Sequence, residues 1–135
     1  MDFDSRKLTW ADFRATVLGP TDPKDAPPGA LRGTILKDWK ALGLAESPNV
    51  GDNGVHASAS PFEALAERVN WLKADAASDS FGSRLVKAGV PLQTIKAWSL
   101  DPQVAGKSLF DSLEDLDSEP CVAKAALLTK GAKLA

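Results

Sequence analysis

Apolar residues recur along most of the chain at helical spacing, in short blocks set off by Gly and Pro. From Thr9 to Leu18, the residues Trp10, Phe13 and Val17 fall on one face. Thr9 and Asp12 have the form of a capping box, and Gly19 is a stop. Gly19 to Gly29 holds Pro20, Pro23, Pro27 and Pro28, a stiff loop in which helix and central strand are excluded. Leu31 to Leu42 returns to the helical period, with Leu31, Ile35, Trp39 and Leu42 on one side and Gly43 at the end; Gly33 weakens its start. Ala45 to Gly54 is a second loop, and a short extended piece around Val55 and His56 follows it. Ser60-Pro61-Phe62-Glu63 is the clearest helix start, and the helix is expected to run to about Leu72, burying Phe62, Leu65, Val69 and Leu72.

Beyond Lys73 the helical pattern continues in short pieces: Phe81 to Ala88, Pro91 to Trp98, Lys107 to Leu116, and Pro120 to Thr129 with Ser118 as cap. Lys107 to Leu116 is expected to bury Leu109, Phe110, Leu113 and Leu116. No hairpin dipeptide sits between alternating apolar runs. The pattern predicts a mostly helical α+β chain with at most one or two short strands, one of them near Val55. Residues 1–135 are read as a single domain, with a motif region over 9–72 and a helical C-terminal extension over 73–135.

Composition narrows the chemistry. The chain has 135 residues, 44% of them hydrophobic and 25% charged. A chain of this size buries roughly 68% of its unfolded surface and needs no disulfide to hold a core. The net charge of −2 supplies no basic field for nucleic acid or an anionic membrane. One cysteine, Cys121, excludes an internal disulfide and multi-thiolate metal sites, and one histidine, His56, excludes a site of several His ligands. No apolar run is long enough to span a membrane, and residues 1–7 lack the apolar core of a secretory signal. The expected compartment is the cytoplasm, with an organelle address left open. Trp10, Trp39, Trp71 and Trp98 are apolar surface to bury.

Few constellations remain. His56 lies between Asn53-Gly54 and the helix start at Ser60, and a lone histidine by itself reads as structural or solvated. Its neighbours change that: Asn53, Ser58 and Ser60 can hydrogen-bond an imidazole or an anion, and a helix N-terminus favours a phosphate. Glu67, further along that helix, can orient one ring nitrogen and leave the other as a nucleophile. The proline-rich loop adds Thr21, Asp22 and Lys24, followed by Arg32, a guanidinium that can fork a phosphate or simply sit on the surface.

Gly19-Pro20-Thr21-Asp22-Pro23, Pro28-Gly29-Ala30-Leu31-Arg32-Gly33, Asn53-Gly54-Val55-His56-Ala57-Ser58-Ala59-Ser60, Glu67 and Trp71 together resemble the nucleoside diphosphate kinase family. The family pattern is G-x-T-N-P, then P-G-T-I-R-G, then N-x-x-H-G-S-D-S and a helix carrying Glu and Trp. Arg32 falls 11 residues after Thr21, Ser58 falls 2 after His56, and Glu67 falls 11 after His56, as in the family. The resemblance implies the C-terminal part of a ferredoxin-like fold followed by a helical extension. It implies a nucleoside diphosphate kinase in which His56 takes the terminal phosphate of a nucleoside triphosphate and passes it to a nucleoside diphosphate. Thr21, Arg32 and Asn53 would bind nucleotide and phosphate, and Ser58 and Glu67 would orient the imidazole. Magnesium would be held through the nucleotide phosphates, with no protein ligand of its own. The partners implied are nucleoside di- and triphosphates, and a second copy or a complementing chain, with no nucleic acid and no membrane.

The pattern departs at Asp22, at Ala59 and at the family arginine before the proline loop, where Ala15 stands with Arg14 beside it. The family's Lys-Pro-Asp segment and its tyrosine do not occur here. An alternative reading is therefore a catalytically incomplete, kinase-derived binding or structural subunit. A helical interaction module is a third.

Overall fold

Side-chain oxygens at Thr9 and Ser60 open two of the helices as expected, whereas Ser118, expected as a cap, is the first residue of its helix. In the computed structural model, which describes residues 3–131, the Thr9 hydroxyl accepts from the Asp12 N–H at 3.0 Å and begins α1, Trp10–Asp12. α1 runs into a wide helical turn, Phe13–Leu18, closed by an i→i+5 bond of 3.0 Å from the Gly19 N–H to the Arg14 carbonyl. The wider turn changes which side chains share a face. Phe13 and Leu18, five apart, are the buried pair, whereas Trp10 and Val17 are half-buried. The expected stripe of Trp10, Phe13 and Val17 assumed a regular α-helical turn. Phe3 closes this end, with its ring centroid 4.8 Å from that of Trp10 and 4.8 Å from that of Phe13.

The chain divides into two units, one up to Ala57 and one from Ser58 on. The motif region 9–72 thus spans the division, and the C-terminal extension lies in the second unit, with 132–135 outside the described residues.

In the first unit the proline-rich loop contains one 3-10 turn, Pro23–Asp25, capped by the Asp22 carboxylate accepting from the Lys24 N–H at 3.0 Å. α2, Leu31–Asp38, is shorter than the expected helix to Leu42, because the chain passes into a turn at Trp39. Its packed side also differs: Leu31 and Leu42 are exposed. Contact is made instead where the backbone comes close. A Cβ on Gly33 would lie 3.0 Å from the Ala26 Cβ, and Ala30 is fully buried. Gly19, at φ +92°, likewise leaves only 3.1 Å between a would-be Cβ and the Ala26 Cβ. Small residues, not the leucines, form this contact.

In the second unit Ser60 accepts from the Glu63 N–H at 3.1 Å and starts α3, Pro61–Leu72, which ends at Lys73 in the left-handed region, φ 56°. Phe62, Leu65 and Ala66 are buried; Leu72, expected inside, is exposed, because the chain reverses one residue later. α4 (Gly82–Lys87), α5 (Leu92–Trp98), α6 (Leu109–Leu113) and α7 (Ser118–Gly131) complete a core built on Phe62, Leu65, Leu85, Ile95, Leu109, Leu113 and Cys121. Phe62 meets Trp98 edge-on at 6.2 Å. Burial pushes the Cys121 thiol up to about 12, so it stays protonated and packs as a small apolar group.

Among the described residues the strands are β1, Gln103–Val104, and β2, Lys107–Ser108, paired antiparallel with Val104 opposite Lys107. The strand expected near Val55 is absent there; residues 55–58 belong to no helix or strand. The hairpin was missed because its turn is Ala105-Gly106, both at positive φ (54° and 82°), where the usual signal is Asn-Gly. β2 also takes the first two residues of the expected helix from Lys107, and the side chain of Ser108 then caps α6, accepting from the Asp111 N–H at 3.2 Å. The chain is a mostly helical α+β fold.

Between α3 and α4 a single carboxylate organises the turn. Asp79 pairs with Arg68 through two bonds of 2.9 and 3.0 Å and accepts from the Phe81 and Gly82 N–H groups. Burial alone would push Asp79 up, but Arg68 and the two N–H groups outweigh it and hold the carboxyl below its ordinary value near 3.8. A carboxyl depressed in the folded state contributes stability that is complete above its unfolded value and is lost as pH falls through the folded one. The melting temperature of the protein is thus expected to fall as pH drops below about 4, and Asp79→Asn is expected to flatten that limb; an unaltered acid limb would contradict the assignment. At Gly82 an added Cβ would sit 2.0 Å from the Ala76 carbonyl oxygen, a backbone atom that cannot yield cheaply. Gly82→Ala is expected to cost at least about 1–3 kcal/mol, as overpacking does, measured as a lower denaturant midpoint.

Candidate functional site

Two side chains of the first unit clasp the proline-rich loop to the segment that carries His56. Arg32, the second residue of α2, is half-buried and its guanidinium forks between two carbonyls: Nη1 donates to Gly19 at 2.9 Å and Nη2 to Val55 at 3.1 Å. The Asn53 amide nitrogen donates to the Thr21 carbonyl at 3.2 Å. Gly54, at φ +83°, packs against Ile35, whose Cγ2 lies 3.0 Å from where a Cβ would be. Thr21 and His56 are exposed. Of the residues expected at the site, Thr21 on one loop, Asn53 and His56 on a second and Arg32 on α2 therefore belong to one unit, and these bonds tie the two loops together.

The electrostatics of Arg32 are unusual. Burial, and the charge of Arg14 nearby, pull its pKa down from the ordinary value. Its hydrogen-bond partners are neutral carbonyls, and its Nε is buried with no partner among the described residues. A guanidinium has five N–H donors, so positive charge and donor capacity both remain for an anion.

Ser58 and Glu67 belong to the second unit, and the structure brings them to each other. The Ser58 hydroxyl donates to Glu67 Oε2 at 2.6 Å, a charge-assisted bond. The backbone of Ala59, beside Ser58, is held on both sides. Its N–H donates to Glu63 Oε2 at 2.8 Å, and its carbonyl accepts from the Asp115 N–H at 2.9 Å. Glu63 thus completes a capping arrangement one residue further out than the expected box.

Sequence reading missed the carbonyls of Gly19 and Val55 as partners of Arg32. Any residue supplies a carbonyl, so no residue type signals it. The loop 44–54 also forms a pocket of its own, lined by Leu44, Glu46, Pro48, Asn49 and Asp52 among others. None of the expected site residues lines it.

No family model matches the chain, and no solved structure matches it. Among curated proteins, a nucleoside diphosphate kinase of Pyrobaculum aerophilum is 46% identical over 57 residues, which is 42% of this chain and 31% of the relative. The chain spans about a third of the length of the curated relative it matches. The likeness is to part of a kinase of nucleoside diphosphates, and it is partial. Among the described residues no helix is long and apolar enough to cross a membrane.

Removing the Ser58 hydroxyl takes one charge-assisted donor from a half-buried carboxylate. Ser58→Ala is expected to destabilise the protein by about 1–3 kcal/mol, seen as a lower denaturant midpoint. A midpoint equal to that of the wild type would show that water replaces the bond at no cost.

Proposed function

We propose that the protein is a nucleoside diphosphate kinase-like phosphotransferase, acting in the cytoplasm, that moves the terminal phosphate of a nucleoside triphosphate to a nucleoside diphosphate through His56. The observation that carries this reading is the 46% identity over 57 residues to a nucleoside diphosphate kinase. The exposure of His56 on a loop held through the Asn53 side-chain amide and the Val55 carbonyl supports it.

In this reading a neutral imidazole nitrogen of His56 attacks the terminal phosphorus. The N–P bond forms as the bond to the bridging oxygen breaks, and the nucleoside diphosphate leaves with that electron pair. The ring's other nitrogen keeps its proton. In the second half-reaction a terminal oxygen of the accepting diphosphate attacks the same phosphorus, and the N–P bond breaks. Arg32 offers charge and N–H groups to the phosphates, Thr21 a hydroxyl, and Asn53 an amide to sugar or phosphate. The resemblance assigns Ser58 and Glu67 to orienting the imidazole. Thr21, Arg32 and Asn53 include no carboxylate, the usual protein ligand for magnesium. That donor set fits a magnesium ion held through the nucleotide phosphates, where it would neutralise their charge. The working unit includes a second copy or a complementing chain, and its ligands are nucleoside di- and triphosphates, with no nucleic acid and no membrane.

The second reading is a kinase-derived subunit that binds or assembles without turnover. The observation favouring it is that both Nη groups of Arg32 are engaged by Gly19 and Val55.

One experiment separates the two. Incubation with γ-labelled ATP and magnesium is expected to leave an acid-labile, alkali-stable label that is lost in His56→Ala. A wild-type protein that stays unlabelled, alone and with its natural partner, returns the protein to the second reading.

A further inference from the structure

The phosphate role gives Arg32 one task, and the geometry shows that the same guanidinium already has another. It reaches across 13 residues to the Gly19 carbonyl and across 23 to the Val55 carbonyl. Val55 is the residue immediately before His56. Residues 55–58 lie in no helix or strand, so no ladder of backbone bonds sets their conformation, and side-chain bonds to the backbone take that place. Gly19 is a firm point to tie to: its N–H is bonded to the Arg14 carbonyl at 3.0 Å, and it packs tightly against Ala26 and Ala30. The Arg32 end is firm as well, since it lies in α2 next to Gly33, where an added Cβ would lie only 3.0 Å from the Ala26 Cβ.

We propose that Arg32 is a positioning residue for His56: its fork fixes the Val55 backbone against Gly19, and so sets the conformation from which the imidazole is presented. The role is separate from any phosphate contact of Arg32, and only its catalytic consequence rests on the kinase reading. It requires arginine in particular. A planar guanidinium bridges two carbonyls in fixed directions, whereas a lysine ammonium is a single point charge on a flexible stem. Lysine would keep the charge for phosphate and lose the bridge.

The test compares the full-length wild type with Arg32→Lys and Arg32→Gln by backbone relaxation in solution. Wild-type order parameters at Val55 and His56 are expected near 0.85, and those of Arg32→Lys below about 0.6, the range of a loose backbone. Those of α2 and of α3 are expected to hold. With γ-labelled ATP, Arg32→Lys is expected to form phosphohistidine about tenfold more slowly at saturating ATP, with the half-saturating concentration changed less than threefold. A structural part without a role at His56 would not produce that split. Order parameters at Val55 and His56 equal in wild type and Arg32→Lys would overturn the proposal, as would a higher half-saturating concentration with the saturated rate intact. Should both variants unfold, the wild type alone decides. Couplings across the hydrogen bonds from the Arg32 Nη nitrogens to the Gly19 and Val55 carbonyl carbons are expected, and freely rotating Nη groups would refute the fork. If the variant loosens while the wild type takes no label from ATP, the positioning role stands and the kinase reading falls. If label forms on a segment that stays rigid without the guanidinium, the reverse holds.

Discussion

A buried or half-buried carbonyl needs a donor, and in irregular backbone, where no ladder supplies one, a side chain can take that part. The first unit depends on one such side chain. Arg32 serves Gly19 and Val55 together, and the placement of both loops follows from it. For the guanidinium to reach both, α2 must approach the start of the proline-rich loop closely. That approach is made at Gly19, Ala26, Ala30 and Gly33, where would-be or actual Cβ atoms come within 3.0–3.3 Å. Larger residues at these positions would hold α2 off and leave the two carbonyls to water. The same closeness explains why Leu31 and Leu42 are left outside: the helix packs through its small face.

In the second unit the comparable constraint is the start of α3. Its first N–H groups need acceptors, and Ser60 supplies one at the Glu63 N–H. Glu63 then reaches back to Ala59, and the Asp115 N–H meets the Ala59 carbonyl from the far end of α6. The residue between Ser58 and Ser60 is thereby held at both its polar backbone atoms. Ser58 bonds Glu67 from a backbone already fixed on its C-terminal side.

Much of this was legible in the sequence, and the exceptions share a cause. The caps at Thr9 and Ser60 are local: the hydroxyl and the N–H it accepts from lie within three residues, so pattern finds them. The cores of α3 and α6 were legible for the same reason, through Phe62, Leu65, Leu109 and Leu113. What pattern could not find depends on backbone reaching backbone. The wide turn at Phe13–Leu18 alters the period itself, so the buried partner of Phe13 is Leu18. The hairpin turn uses Ala105 at positive φ, which is not a residue type that announces such a turn. The extended piece near Val55 has strand-like residues and no strand to pair with, and its carbonyl goes to Arg32 instead. At the candidate site the sequence offered Thr21, Arg32, Asn53, His56, Ser58 and Glu67 as candidates; the bonds of Asn53 to Thr21 and Ser58 to Glu67 were not legible, since spacing fixes composition and not contact.

The engagement of Arg32 by two carbonyls, the observation that favours a subunit without turnover, still leaves part of the guanidinium unused. A guanidinium has five donors, and two are used. Carbonyls are neutral, so the charge is not compensated by the bonds that hold it, and the nearby Arg14 adds to it rather than cancelling it. Like charges brought together, with burial added, raise the free energy of the folded state, and an apolar residue in place of one of them would relieve it. An anion relieves it too, and a phosphate does so with the fork geometry that arginine matches. The two tasks are compatible in one side chain because the carbonyl bonds set where the guanidinium lies while its charge remains available. In the kinase reading one further group is required: holding phosphate needs only the cation and the N–H groups, whereas taking phosphate would need a nucleophile such as the exposed imidazole of His56 on the same tied loop.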